Sequence, residues 1–132
     1  MITVEEVIRV MLVDDDEPFL RVAVEFLEQH KGLEVVATAR SGREALDQAL
    51  RLRPDVILLE LEMPNLTGFE VLPQLRAMLP TAGIIILTLY DFQGYRQVAL
   101  ANGADEFIPK DKLVTDLVPA IKRIAQIKGR NS

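Results

Sequence analysis

The sequence predicts an α/β domain, a parallel sheet of five strands with helices on both faces. Three observations predict it. Five short apolar runs recur along the chain, each too short for a helix and bounded by Pro, Gly or acids. Between them lie segments with apolar residues at helical spacing, opened by capping residues and closed by Gly or Pro. The connections are short, and strands alternating with helices through right-handed crossovers leave a parallel sheet as the consistent arrangement.

Val7 to Val13 is nearly all apolar and reads as a buried strand that ends in Asp14-Asp15-Asp16. Pro18 suits the first turn of a helix, with Asp16 and Glu17 near its positive end. Phe19, Val22, Ala23, Phe26 and Leu27 follow at helical spacing, and Gly32 closes that segment. His30, the only histidine, falls at the helix end, where a solvent-facing position is expected. Leu33 to Ala39 reads as a strand, and Ser41-Gly-Arg-Glu44 as a capping box opening a helix that ends before Pro54.

Val56 to Leu59 is a four-residue apolar run, as expected of a central strand buried on both faces, and it stops at Glu60. Thr67-Gly-Phe-Glu70 is a second capping box, opening a helix through Val71, Leu72, Leu75 and Met78 and carrying Pro73 near its start. Ile84 to Thr88 is another buried strand, Tyr95 to Ala101 a helix stopped by Gly103, and Glu106 to Ile108 a short fifth strand. A final helix carries Leu117, Ala120, Ile121, Ile124 and Ile127, with Pro119 placing its start near Thr115 or Asp116. Gly129 to Ser132 reads as a frayed tail.

The 132 residues suit one domain, 1–132, with an ordered core over about 7–127; no output domain is expected within them, so the chain reads either as acting alone on a partner or as a fragment of a longer regulator. Apolar residues form 49% of the chain, which argues against disorder. The absence of cysteine excludes disulfides and thiolate metal sites and fits a cytoplasmic setting. No secretory leader or membrane-length apolar run stands in the sequence, and a net charge of −5 argues against direct nucleic-acid binding by this domain.

In a parallel sheet the carboxyl ends of all strands share one rim, where such folds keep their sites. That rim collects Asp14 and Asp15, Glu60, Thr88 and Lys110. Three crowded carboxylates repel one another unless a cation sits among them, and all-oxygen ligands favour a hard ion such as Mg²⁺. A lysine and a hydroxyl facing that ion would complete a cradle for phosphoryl oxygens.

Val13-Asp-Asp15, Leu61-Glu-Met-Pro64 with Gly68, Leu87-Thr88, Gly103-Ala104 and the Lys110 strand end together resemble a response-regulator receiver domain. The resemblance covers almost the whole chain, and its spacing is similar to the branch with helix-turn-helix output. It implies the flavodoxin-like (CheY-like) fold with strand order 2-1-3-4-5. It implies that Asp14 and Asp15, with the Glu60 carboxylate and the Glu62 carbonyl, hold Mg²⁺. It further implies that Thr88 and Lys110 hold a phosphoryl group, that Phe107 is the switch aromatic, and that Glu60 stands at the phosphoacceptor position. The implied partners are a sensor histidine kinase or phosphotransfer protein, and an output domain or partner protein on the face of the fourth helix, fifth strand and fifth helix. That face, here about Phe92 through Ile127, could also form a homodimer.

Glu60 is a departure, because the family carries Asp there. Glu extends roughly 1.5 Å further, and misplacement by about 1 Å can cost around a hundredfold in rate. Leu89 is a second departure, where a small residue usually guards the phosphoryl pocket. Efficient phosphorylation of Glu60 is therefore not expected, and two readings follow: a pocket that no longer uses phosphorylation, or a Glu60 that imitates the charged state. A rival reading from another class is a small phosphatase or phosphotransferase using Asp14 and Asp16, against which Pro18 and the absence of room for a cap domain both count. A bare nucleotide- or flavin-binding module ranks below both, because acids stand where a phosphate cradle wants glycine. Tyr90, Phe92 and Tyr95 cluster near the fourth strand as a candidate partner surface or half-buried packing.

Overall fold

The computed structural model describes residues 7–130. Its elements are β1 (Ile8–Val13), α1 (Glu17–Glu28), β2 (Leu33–Ala39), α2 (Gly42–Leu52), β3 (Val56–Leu59), α3 (Gly68–Met78), β4 (Gly83–Thr88), α4 (Tyr95–Ala101), β5 (Glu106–Pro109), a 3-10 turn (Lys110–Lys112) and α5 (Leu113–Arg130). The strands form one parallel sheet in the order β2-β1-β3-β4-β5, so the expected flavodoxin-like architecture is the observed one.

Successive strand residues face opposite ways, and this period divides the core in two. Met11, Val13, Ile57, Leu59, Ile84, Ile86 and Phe107 pack against Ala45 and Ala49 of α2, Val71, Leu72 and Leu75 of α3, and Ala99 of α4. Val10, Leu12, Val56, Leu58, Ile85, Leu87 and Ile108 pack against Leu20, Ala23 and Leu27 of α1 and Leu117, Ala120, Ile121 and Ile124 of α5. Every residue of β3 and β4 is buried, which is why those runs show no polar alternation. The ladder slips once where β1 meets β2, between Val10 and Met11.

Local chemistry sets the helix starts. The Asp16 side chain accepts the Phe19 N–H to cap α1, and the Ser41 hydroxyl accepts the Glu44 N–H to cap α2. At Thr67 the box closes both ways, with the Thr67 N–H donating to Glu70 and the Glu70 N–H to the Thr67 hydroxyl. His30 is half-buried rather than free at the helix end; its ring packs against Phe26 and its Nδ1 lies 2.9 Å from the Phe26 carbonyl.

The last helix corrects the sequence expectation at both ends. It begins at Leu113, not near Thr115, and Pro119 lies inside it. Pro119 forfeits one helical hydrogen bond to the Thr115 carbonyl, a cost of ~3 kcal/mol or more for an interior proline. Leu113, Leu117 and Val118 are nonetheless buried, and each such side chain contributes about 1.5–3 kcal/mol when fully covered. Gly129, expected in a frayed tail, is helical, while residues 131–132 lie outside the described part.

Arg76 of α3 forms a junction that no pattern in the sequence announces. Its guanidinium donates to the carbonyls of Gly103 and Ala82 and to Asp105, and Asp105 in turn accepts the Ile84 N–H and pairs with Lys128. One side chain thereby ties α3 to the turns before β4 and β5.

Candidate functional site

Strand register brings the site together. Val13 pairs with Leu59 and Thr88 with Pro109, so the residues following those strand ends, Asp14, Glu60 and Lys110, emerge beside Thr88. The Glu60 N–H donates to the Val13 carbonyl at 3.0 Å, locking the two strand ends side by side. Gly68 lets the β3–α3 loop fold back on this point. A Cβ there would run into the Glu60 carbonyl oxygen and come within 2.6 Å of the Leu61 Cα.

Glu60 is buried, with 3% of its surface exposed, and both oxygens of its carboxylate are engaged. Oε2 accepts the Thr88 hydroxyl at 2.5 Å and the backbone N–H groups of Leu61 at 2.7 Å and Glu62 at 3.2 Å. Oε1 lies 3.1 Å from the Lys110 ammonium. Thr88 is fully buried, and its oxygen accepts the Tyr90 N–H at 3.0 Å, joining Glu60 to the β4–α4 loop. Asp14 is equally buried; Oδ1 accepts the Asp16 N–H, while Oδ2 has no hydrogen-bond partner among the described residues and lies 2.6 Å from the Lys110 ammonium as an ion pair.

Lys110 therefore bridges both acids, and its ammonium also sits 3.9 Å above the Phe19 ring of α1. Phe19 was legible as a core residue of that helix but not as the cover of the site lysine. Burial raises the Asp14 pKa above its usual 3.8, against the lowering by Lys110 and the Asp16 N–H. Burial also depresses Lys110, but its bonds and attraction to Asp14, with Glu60 added, leave it above 10.5. The asymmetry has a plain cause: the lysine faces two carboxylates, whereas Asp14 shares one lysine with Glu60.

Asp14, Glu60, Thr88 and Lys110 are thus brought together, while Asp15 stays exposed and outside the buried set. Among the described residues, no group of three His, Cys, Asp or Glu side chains is arranged to hold a metal ion. Glu62 was singled out for its carbonyl; its N–H binds Glu60 and its side chain accepts the Tyr95 hydroxyl at 2.9 Å, an interaction the sequence did not suggest. Leu89, the second departure, is 67% exposed and takes no part in the buried group. Phe107 is 2% exposed within the core, with the Arg96 guanidinium 5.9 Å from its ring. Tyr95 packs edge-on against Phe69 and Phe92, whereas Phe92 itself is 57% exposed.

The profile of the response regulator receiver domain matches residues 10–122. The chain belongs to that family. As a receiver domain it is a module of two-component signal transduction. It is 39% identical over 105 residues to a protein-glutamate methylesterase/protein-glutamine glutaminase of Alkalilimnicola ehrlichii, covering 78% of this chain and 27% of that protein. It is 38% identical over 122 residues to the nitrate/nitrite response regulator protein homolog of Haemophilus influenzae, covering 92% of this chain and 59% of that protein. The receiver domain of the response regulator NarL from Mycobacterium tuberculosis superimposes with a TM-score of 0.85 at 31% identity, over 92% of this chain and 98% of that one. The chain thus spans about a quarter and three fifths of those two relatives' lengths, and regulators and enzymes alike carry the matching part.

Proposed function

We propose that this receiver domain signals without an acyl-phosphate cycle, because the Glu60 carboxylate occupies the place and makes the contacts of the charged group that phosphorylation would add. The observation that carries this reading is the buried pair of bonds from Glu60 to Thr88 and Lys110, the two residues that in the family hold a phosphoryl group. Both contacts are charge-assisted, the stronger class of hydrogen bond, contributing about 1.5–3 kcal/mol each when well formed. A carboxylate whose two oxygens are already engaged is a poorer nucleophile: Oε2 takes three donors and Oε1 lies against the Lys110 ammonium.

The output then follows from the surface. Thr88 hands the Glu60 contact to the Tyr90 N–H, at the start of the loop leading into α4, so the charge on Glu60 biases the α4–β5–α5 face. A histidine kinase or phosphotransfer protein is the partner class that the receiver family brings, and an output domain or partner protein would read the α4–β5–α5 face. The phosphatase reading is weaker, because the Asp16 carboxylate caps α1 instead of standing free as an acid/base group. The test is intact-mass measurement after incubation with a small phosphodonor and Mg²⁺, on the natural chain and on Glu60→Asp. We expect no adduct on the natural chain and one phosphoryl group on Glu60→Asp. A stoichiometric adduct on Glu60 would overturn the reading.

A further inference from the structure

The opposite rim of the sheet, where the strands begin, carries a groove of about 920 Å³. Its walls are the start of β1, the turns before β2, β3 and β4, and the C-terminal half of α5. Four cationic side chains line it, Lys31, Arg53, Lys122 and Lys128, against one carboxylate, Asp55. The chain as a whole carries −5, so this concentration of positive charge runs against its balance. Asp55 is already committed, its Oδ2 accepting the Arg9 N–H at 2.8 Å. Lys128 pairs with Asp105 at 3.1 Å. Among the described residues, no ion pair engages Lys31, Arg53 or Lys122. The carbonyls of Leu79, Pro80 and Ala82 accept from the Arg76 guanidinium, so those acceptors are taken. The deeper lining is apolar, with Pro54, Leu79 and Ala82 all buried.

Arg53 is out of place for its backbone. It closes α2 at φ 46° and ψ 64°, the left-handed region that glycine or asparagine usually fills at a helix end. A long L side chain is strained there. Two contacts hold the turn: the Arg53 N–H donates to the Ala49 carbonyl at 2.9 Å, and the Arg9 guanidinium donates to the Arg53 carbonyl at 3.0 Å. Both use only the main chain of Arg53, which glycine would supply without strain. A residue that breaks a local rule in this way points to a use for its side chain.

We propose that this groove binds a multiply charged phosphate carried on an apolar body, by chemical class a nucleoside polyphosphate, with Arg53, Lys31 and Lys122 holding the anion. Guanidinium and ammonium groups match phosphate oxygens. The buried apolar lining suits the flat face of a base, and the volume falls within the range of about 300–1,000 Å³ common for small-molecule sites. The groove lies at the other end of the strands from Glu60 and does not depend on how that residue acts.

The test follows the backbone amide shifts of Gly32, Asp55 and Ala82 in the whole chain during titration with ADP, in EDTA so that no divalent ion takes part. Adenosine and inorganic pyrophosphate are titrated in parallel. We expect saturable shifts with ADP, weaker binding of pyrophosphate and none of adenosine. Arg53→Gly removes the guanidinium and fits the left-handed backbone. It should unfold at the same temperature or higher while binding ADP about tenfold more weakly. Lys122→Gln should weaken ADP to a similar degree. No saturable shift with ADP would overturn the proposal, and so would Arg53→Gly binding ADP like the natural chain. Adenosine or pyrophosphate matching ADP would overturn the ligand class.

Discussion

Single atoms decide what this pocket does. The Glu60 carboxylate lies against the Thr88 hydroxyl and the Lys110 ammonium, the contacts on which the proposed function rests. Removing the hydroxyl leaves the Tyr90 N–H without its acceptor, so Thr88→Val is expected to lower stability by about 1–3 kcal/mol in urea unfolding. Removing the ammonium is worse, because two buried carboxylates lose their shared counter-charge. Lys110→Met should cost about 3–5 kcal/mol. Burial pulls the Lys110 pKa down, but its bonds and attraction to Asp14 and Glu60 outweigh that and leave it raised. A raised lysine contributes fully below its unfolded pKa and loses that contribution as pH climbs through the folded one. The gap between the natural chain and Lys110→Met should therefore be level from about pH 7 to 9 and shrink only in alkali. The site residues were legible because strand ends in a parallel sheet must share a rim. The roof was not, since Phe19 carries the same apolar signal whether it faces the core or an ammonium.

At the scale of elements, caps and apolar runs carried most of the information. The runs of β2 and β3 and the span of α4 match the expected residues, because each is bracketed by a capping residue, Gly or Pro. Pro119 misled the reading of α5, where burial outweighed backbone chemistry, whereas Pro73 stands inside α3 as expected. Pro73 and Pro119 both sit inside helices, held there by Leu72 and Leu75 in one case and Leu117 and Ile121 in the other. The Arg76 junction was invisible for a different reason: a guanidinium that collects backbone carbonyls leaves no periodic trace in sequence. Arg76→Ala strips Asp105 of one partner and several carbonyls of their donor, and we expect a loss of about 3 kcal/mol in urea unfolding. Thr67→Ala, which opens the one complete capping box at the start of α3, should cost about 1 kcal/mol by the same measurement.

Across the whole molecule, a run of contacts leads from this pocket to a surface. Glu60 reaches Thr88, Thr88 reaches Tyr90, and the loop beyond it leads through Phe92 and Tyr95 into α4. The Tyr95 hydroxyl returns the connection to Glu62, two residues after Glu60. The fold and its family were legible from the order of motifs; the meaning of Glu60 was not, because a sequence shows the longer side chain without showing which donors it meets. The most direct measurement compares backbone amide chemical shifts at Tyr90 and along α4 in three samples: the natural chain, Glu60→Asp, and Glu60→Asp after phosphodonor treatment. We expect the natural chain to lie near the phosphorylated variant and away from the untreated one. A natural chain whose shifts coincide with untreated Glu60→Asp would contradict the claim that Glu60 supplies the charge by itself.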